Sequence, residues 1–206
     1  MSTARGFRQH RQVASTNDLS IPLCVDLDGT LLNTDMLWES LKNVARKKPR
    51  CVLLFPFWFL KGRSHLKQQV AARAQVDVPA LPFHHGFLEF LKQEKARGRK
   101  LILATASDQV IAEKVAARFG LFDEVLASDG RRNLRGPAKA ALLTERFGRR
   151  GFDYAGNSPV DLRVWSETRC AIVVNGSEEL VAQARAVTQV AHIFPEEAGN
   201  PCRAPW

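Results

Sequence analysis

Short apolar runs alternate with stretches of helical period along most of the chain. The segments "IPLCVDL" (21–27), "KLILAT" (100–105), "DEVLAS" (123–128), "FDYAG" (152–156) and "CAIVVN" (170–175) have strand length and a rich apolar content. Between them, "MLWESLKNVARK" (36–47), "SHLKQQVAARAQ" (64–75), "FHHGFLEFLKQEKARG" (83–98), "DQVIAEKVAARFG" (108–120), "PAKAALLTERFG" (137–148), "PVDLRVWSET" (159–168) and "SEELVAQARAVTQ" (177–189) read as helices. Ile111, Val115 and Phe119 fall four apart on one face. Gly98, Gly120 and Gly148 stand where helices terminate, and Pro137 stands at a first-turn position.

Strand and helix in alternation predict an α/β fold, a Rossmann-like parallel sheet with helices on both faces. The interval between the first two strands is too long for one crossover and holds several helical segments. It predicts an inserted helical cap over 34–84, with the core formed by 21–33 and 85–195. The basic stretch 1–20 predicts a flexible tail rather than a secretory signal, and 196–206 an extended C-terminal tail. The apolar run "CVLLFPFWFLKGR" (51–63) is too short and too interrupted, at Pro56, to span a bilayer. It predicts a buried helix. A face resting on a bilayer is the alternative, favoured by the neighbouring Lys47, Lys48, Arg50, Lys61 and Arg63.

Charge narrows the partners. There are 30 Lys and Arg against 21 Asp and Glu, a net charge of +9, which favours anionic ligands such as phosphorylated metabolites or acidic lipid. No zinc-finger spacing, RNA-binding aromatic motif or basic heptad is present, so nucleic acid is not an expected partner. Cys24, Cys51, Cys170 and Cys202 are scattered, and Cys24 and Cys170 lie in apolar runs as core residues. A reducing, cytoplasmic setting follows, peripheral to the inner face of the membrane if 51–63 docks there. His65, His84 and His85 lack a third ligand at matching spacing and read as cap or hinge residues.

Ligands of open parallel sheets bind beyond the carboxyl ends of the strands. The polar residues there are Asp26 and Asp28 after the first strand, Thr105 and Ser107 after the second, and Asn157 to Asp161 after the fourth, with Lys139 in a helix's first turn. Two close carboxylates repel, and Mg²⁺ relieves that cost by taking carboxylate, carbonyl and water oxygens. With the charge neutralised, a carboxylate can attack phosphorus, and its neighbour can give and take a proton. Thr105 and the main-chain amides just after it, beginning at Ala106, can donate to phosphoryl oxygens. Lys139 sits at the positive end of a helix dipole, where a bound anion would remove the conflict. Each residue also has a plainer role. Asp28-Gly29 is a turn signal, Ser158-Pro159-Val160-Asp161 a helix start, and Thr105 and Ser107 potential helix caps.

"DLDGTL" resembles the opening motif of the haloacid dehalogenase-like hydrolase superfamily, phosphoserine-phosphatase-like, and "LILATAS", "GPAKAALL" and "GNSPVD" follow in that superfamily's order. The resemblance implies a Mg²⁺-dependent phosphatase acting through an aspartyl-phosphate on a small or lipid-linked phosphate. It implies Asp26 as nucleophile, Asp28 as general acid and base, Thr105, Ala106 and Lys139 as phosphate-binding, and Asp26, Asp28, Asn157 and Asp161 as the metal set. The chain departs from the family where Asn157 stands in place of an expected aspartate, which implies weaker metal binding. A nearer resemblance, carried by "VDLDGTLLNTDMLWESL" and "FDYAGNSPVDLRVW", is to the hydrolase domains fused to ubiquinone-biosynthesis-type membrane prenyltransferases. It implies a membrane prenyltransferase as a partner. A phosphotransferase or mutase, and a non-catalytic module that binds a membrane enzyme, stay open as alternatives.

Overall fold

The computed structural model describes residues 18–47, 49–62, 66, 68–70, 72–74, 81–129 and 132–199. The first 17 residues, the last seven, Lys48, Arg63, His65 and much of the 64–75 helix lie outside the described residues.

Six strands form one parallel sheet: β1 (Leu23–Val25), β2 (Leu101–Asp108), β3 (Glu124–Ser128), β4 (Asp153–Gly156), β5 (Cys170–Val174) and β6 (Gln189–Phe194), in the order β3-β2-β1-β4-β5-β6. The order reverses between β1 and β4, which opens a crevice at their carboxyl ends. Among the described residues, helices with defined bounds are α1 (Met36–Lys47), α2 (Phe55–Leu60), α3 (His85–Ala96), α4 (Gln109–Phe119), α5 (Pro137–Phe147), α6 (Leu162–Trp165) and α7 (Glu178–Val187).

Strict alternation along the strands builds a core on each face of the sheet. Leu23, Val25, Leu101, Leu103, Ile172 and Val174 face one way, onto Phe87 and Leu91 of α3 and Ile111 and Val115 of α4. Cys24, Ile102, Ala104, Ala171 and Val173 face the other, onto Leu143 of α5, Trp165 of α6 and Leu180 and Ala184 of α7. A third cluster, Val44, Trp58, Leu66, Val70 and Ala74, shares no residue with these two and lies in the segment between β1 and β2. Gly120 ends α4 in the left-handed region at φ 62°, as its position after Phe119 predicts.

Three expectations are corrected. The segment 51–63 is not a buried helix: a 3-10 turn (Pro49–Leu54) leads into α2, and of these residues only Trp58 is buried. β6 is an additional strand on the edge of the sheet, begun where Thr188 turns to extended backbone at the end of α7. Its polar and half-exposed residues hide the strand period in the sequence. The "PVDLRVWSET" helix shrinks to a 3-10 turn (Pro159–Asp161) and the four residues of α6. Within the extended C-terminal stretch, Glu197 accepts a hydrogen bond from the Gly86 amide at 2.8 Å. His84 caps α3, its Nδ1 accepting from the Phe87 amide at 3.1 Å.

At the amino ends of the strands, buried charges are mutually satisfied. Arg99 donates to Glu94 at 2.8 Å, to the Ile21 carbonyl at 3.0 Å and to Asp153, while Asp153 also accepts from Arg169 and the Cys170 amide. Removing one member of such a set leaves the others charged and dry. Arg99→Leu is therefore expected to lower unfolding free energy by about 3–5 kcal/mol, read from the urea midpoint at constant m-value. A change within ordinary surface-mutation scatter would show that Glu94 and Asp153 find other partners.

Candidate active site

β1 ends at Val25 and its ladder continues for one more bond, from the Asp26 amide to the Ala155 carbonyl of β4 at 3.0 Å. This seats Asp26 at the crevice where the strand order reverses. The chain then turns tightly, with the Thr30 and Leu32 amides both donating to the Leu27 carbonyl, and carries Asp28 toward β2 and α1.

Lys139, two residues into α5, donates to Asp26 Oδ1 at 2.8 Å and to the Tyr154 hydroxyl oxygen at 2.7 Å, and is itself buried. Its place at the positive end of a helix is thus compensated by the Asp26 carboxylate itself. The Tyr154 hydroxyl donates onward to Asp161 Oδ1 at 2.9 Å. Burial, then the charges of Asp161 and Asp26, hold the Tyr154 phenol well above its ordinary range, so it stays a donor. Burial raises Asp26 above the usual carboxylate range, Lys139 pulls it back, and Asp161 adds to the rise.

Asp161 is engaged on both oxygens. Besides Tyr154, its Oδ2 accepts from the Asn157 amide at 3.1 Å, the Ser158 amide at 3.0 Å and the Ser158 hydroxyl at 3.0 Å. This is the helix-start role read from the sequence, and it braces the loop that carries Asn157. Gly156 is required by the same crowding. A Cβ there would lie 2.7 Å from Asp161 Cγ and 2.9 Å from a Tyr154 ring carbon.

Asp28 is held by two donors, the Met36 amide at the start of α1 (2.7 Å) and the Ser107 hydroxyl (2.6 Å). Burial, and next the charge of Asp35, push its carboxyl up to about 7, with Asp26 adding to the rise against the Ser107 hydroxyl. Thr105 is buried at the end of the apolar part of β2, and its Oγ1 accepts from the Ser107 amide at 3.0 Å. Neither residue caps α4; that role falls to Asp108, whose Oδ1 accepts from the Val110 amide. The Ala106 carbonyl accepts from Ser128. A small cleft beside Asp28 is lined by Met36, Leu37 and Ser40 of α1 and by Ser107, Asp108 and Ile111.

Among the described residues no three His, Cys, Asp or Glu side chains gather as a metal site. The residues present nonetheless fit a hard cation in one respect. The Asn157 amide is buried, its Oδ1 accepting from Thr30 Oγ1 at 3.2 Å while Nδ2 has no partner. Turned over, the amide would donate to the Thr30 oxygen and leave Oδ1 open, a neutral oxygen ligand beside the Asp26 carboxylate.

A family model of haloacid dehalogenase-like hydrolases matches residues 23–165, from β1 to the end of α6. The chain belongs to that family. Solved structures share the fold at low identity. Phosphoserine phosphatase in its apo form is 16% identical, with a TM-score of 0.57 over 85% of this chain and 93% of that one. A phospho-aspartyl intermediate analogue of phosphoserine phosphatase is 15% identical, with a TM-score of 0.58 over 86% and 94%. An uncharacterized protein, y4nM of Sinorhizobium fredii, is 36% identical over 183 residues, which is 88% of this chain and 35% of that protein. The chain thus spans about a third of that relative's length.

The sequence singles out the residues that meet in the crevice but misses Tyr154, Thr30 and Asn175. Tyr154 is the only tyrosine of the chain and the polar-tipped member of an apolar strand, which was the available signal. Asn175, at the end of β5, donates to the Gly29 carbonyl and to Asn33, both at 2.9 Å, and so holds the turn that carries Asp28. Tyr154→Phe takes a partner from both Lys139 and Asp161. We expect it to lower stability by about 1–3 kcal/mol, measured by denaturant unfolding. An unchanged midpoint would mean that the hydroxyl bridges nothing in solution.

Proposed function

We propose that the chain is a magnesium-dependent phosphomonoester hydrolase that works through an aspartyl-phosphate on Asp26. The observation that carries this reading is a carboxylate at the sheet's switch point, tied by one oxygen to a buried lysine, with a second carboxyl two residues on. Lys139 occupies Oδ1 of Asp26, so Oδ2 is the attacking oxygen. As Oδ2 bonds to phosphorus, the ester P–O bond breaks and the leaving oxygen takes a proton from Asp28. Water then attacks phosphorus, Asp28 takes back a proton, and the aspartyl P–O bond breaks to release inorganic phosphate and restore Asp26.

Thr105 and the Ala106 amide are the donors for the phosphoryl oxygens, with Lys139 stabilising the charge that develops there. Ser107 and the Met36 amide position Asp28 for both proton transfers. Asp26, Asp28 and Asn157 would hold a Mg²⁺, with Asp161 beside them, and its charge would let a phosphate dianion approach the aspartates. Asp161 supports this set through Tyr154 and the Asn157 amide. The insertion over 34–84 serves as a cap, since α1 supplies half of the cleft beside Asp28. Met36, Leu37 and Ile111 make that cleft partly apolar, and the buried Ser40 hydroxyl has no partner there. The proposed substrate is a small or lipid-linked phosphate.

Assay with p-nitrophenyl phosphate and Mg²⁺ tests the mechanism. Asp26→Asn should lose at least about a thousandfold in turnover, whereas equal residual activity would remove Asp26 as nucleophile. Asn157→Asp should lower the Mg²⁺ concentration needed for half-maximal activity, because it adds a negative charge to the metal set. An unchanged Mg²⁺ dependence would place position 157 outside that set.

A further inference from the structure

The chain's positive charge is concentrated in one place. Residues 40–76 contain nine Lys and Arg and no Asp or Glu, while the rest of the sequence balances 21 cations against 21 anions. The whole excess of +9 therefore belongs to 40–76, which carries most of α1, the 3-10 turn and α2. In that segment Trp58 turns inward onto Val44, Leu66 and Val70. Its neighbours turn outward: Leu53 and Leu60 are each 83% exposed, Phe57 56% and Phe59 58%, with Val52 and Leu54 also exposed. Around them stand the exposed cations Arg46, Lys47, Arg50 and Lys61. Lys61 lies over the Phe57 ring at 4.8 Å, its stem on the apolar face and its charge at the edge.

We propose that this face is a docking surface for an anionic lipid bilayer. An apolar patch of this density on a folded chain marks an interaction surface. Its rim offers positive charge and no carboxylate, which suits a surface of acidic headgroups over an apolar layer. No helix among the described residues is long and apolar enough to cross a membrane, so the contact is interfacial. A second copy is the poorer occupant, because a two-fold contact through this face brings the exposed Arg46, Lys47, Arg50 and Lys61 of one copy toward those of the other. The proposal is independent of the phosphatase reading, since none of these residues belongs to the candidate active site.

The test is co-sedimentation of the full chain with vesicles of phosphatidylcholine alone and of phosphatidylcholine mixed with phosphatidylglycerol. Partition should be at least about tenfold stronger onto the mixed vesicles and should weaken with added salt. Two variant sets, Leu53→Ser with Leu60→Ser, and Lys47→Glu with Arg50→Glu and Lys61→Glu, should each abolish most of it. Both sets change exposed side chains, and a thermal melt identifies any that fail to fold. Protein left in the supernatant with both vesicle types would overturn the proposal. So would partition untouched by the charge reversal in a folded variant, or sedimentation velocity showing a dimer that the serine variants dissolve while vesicles are ignored.

Discussion

The site depends on keeping a carboxylate ionised where water is scarce. Asp26 is drawn into the crevice by a main-chain bond to β4, and burial there opposes its charge. Lys139 supplies the countercharge, Tyr154 fixes Lys139, and Asp161 fixes Tyr154. The relay runs anion, cation, neutral hydroxyl, anion, so each member has a partner. Its far end is tied into the loop by the Asn157 and Ser158 amides. One carboxylate's ionisation thus fixes the geometry of residues from β1, α5, β4 and the loop beyond it.

The sheet separates chemistry from cohesion. Its carboxyl edge holds the polar groups proposed to act on phosphate. Its amino edge holds Arg99, Glu94, Asp153 and Arg169 in a closed set of ion pairs. Asp153 and Tyr154 are neighbours in β4, yet one belongs to each system. β4 therefore links the two electrostatic assemblies through main chain alone.

Most of the fold was legible because the strands are buried on both faces and their helices have clean periods. β1, β2, β4 and β5 announce themselves through runs such as "LILAT" and "CAIVV", and Gly120 marks a helix end by its backbone freedom. β6 was hidden because an edge strand with Gln189 and His192 needs less apolar surface. The segment 51–63 misled because apolar content alone does not say which way a side chain turns; the observed face is mostly outward. In the candidate site, Asp26, Asp28, Thr105, Lys139, Asn157 and Asp161 are named by motif and strand end. Tyr154 and Asn175 are not, because they act by holding other residues and carry no motif of their own. Asp161, read both as a metal residue and as part of a helix start, takes four donors on its two oxygens.

The bond from the Met36 amide to Asp28 joins the first residue of α1 to the proposed acid, and the other end of α1 reaches the cationic rim. Twelve residues of helix make a strut of about 18 Å. A tilt of that strut would unlatch the amide, leaving the Asp28 side chain to Ser107 alone. One continuous run of main chain thus connects the proposed proton donor to the exposed apolar face.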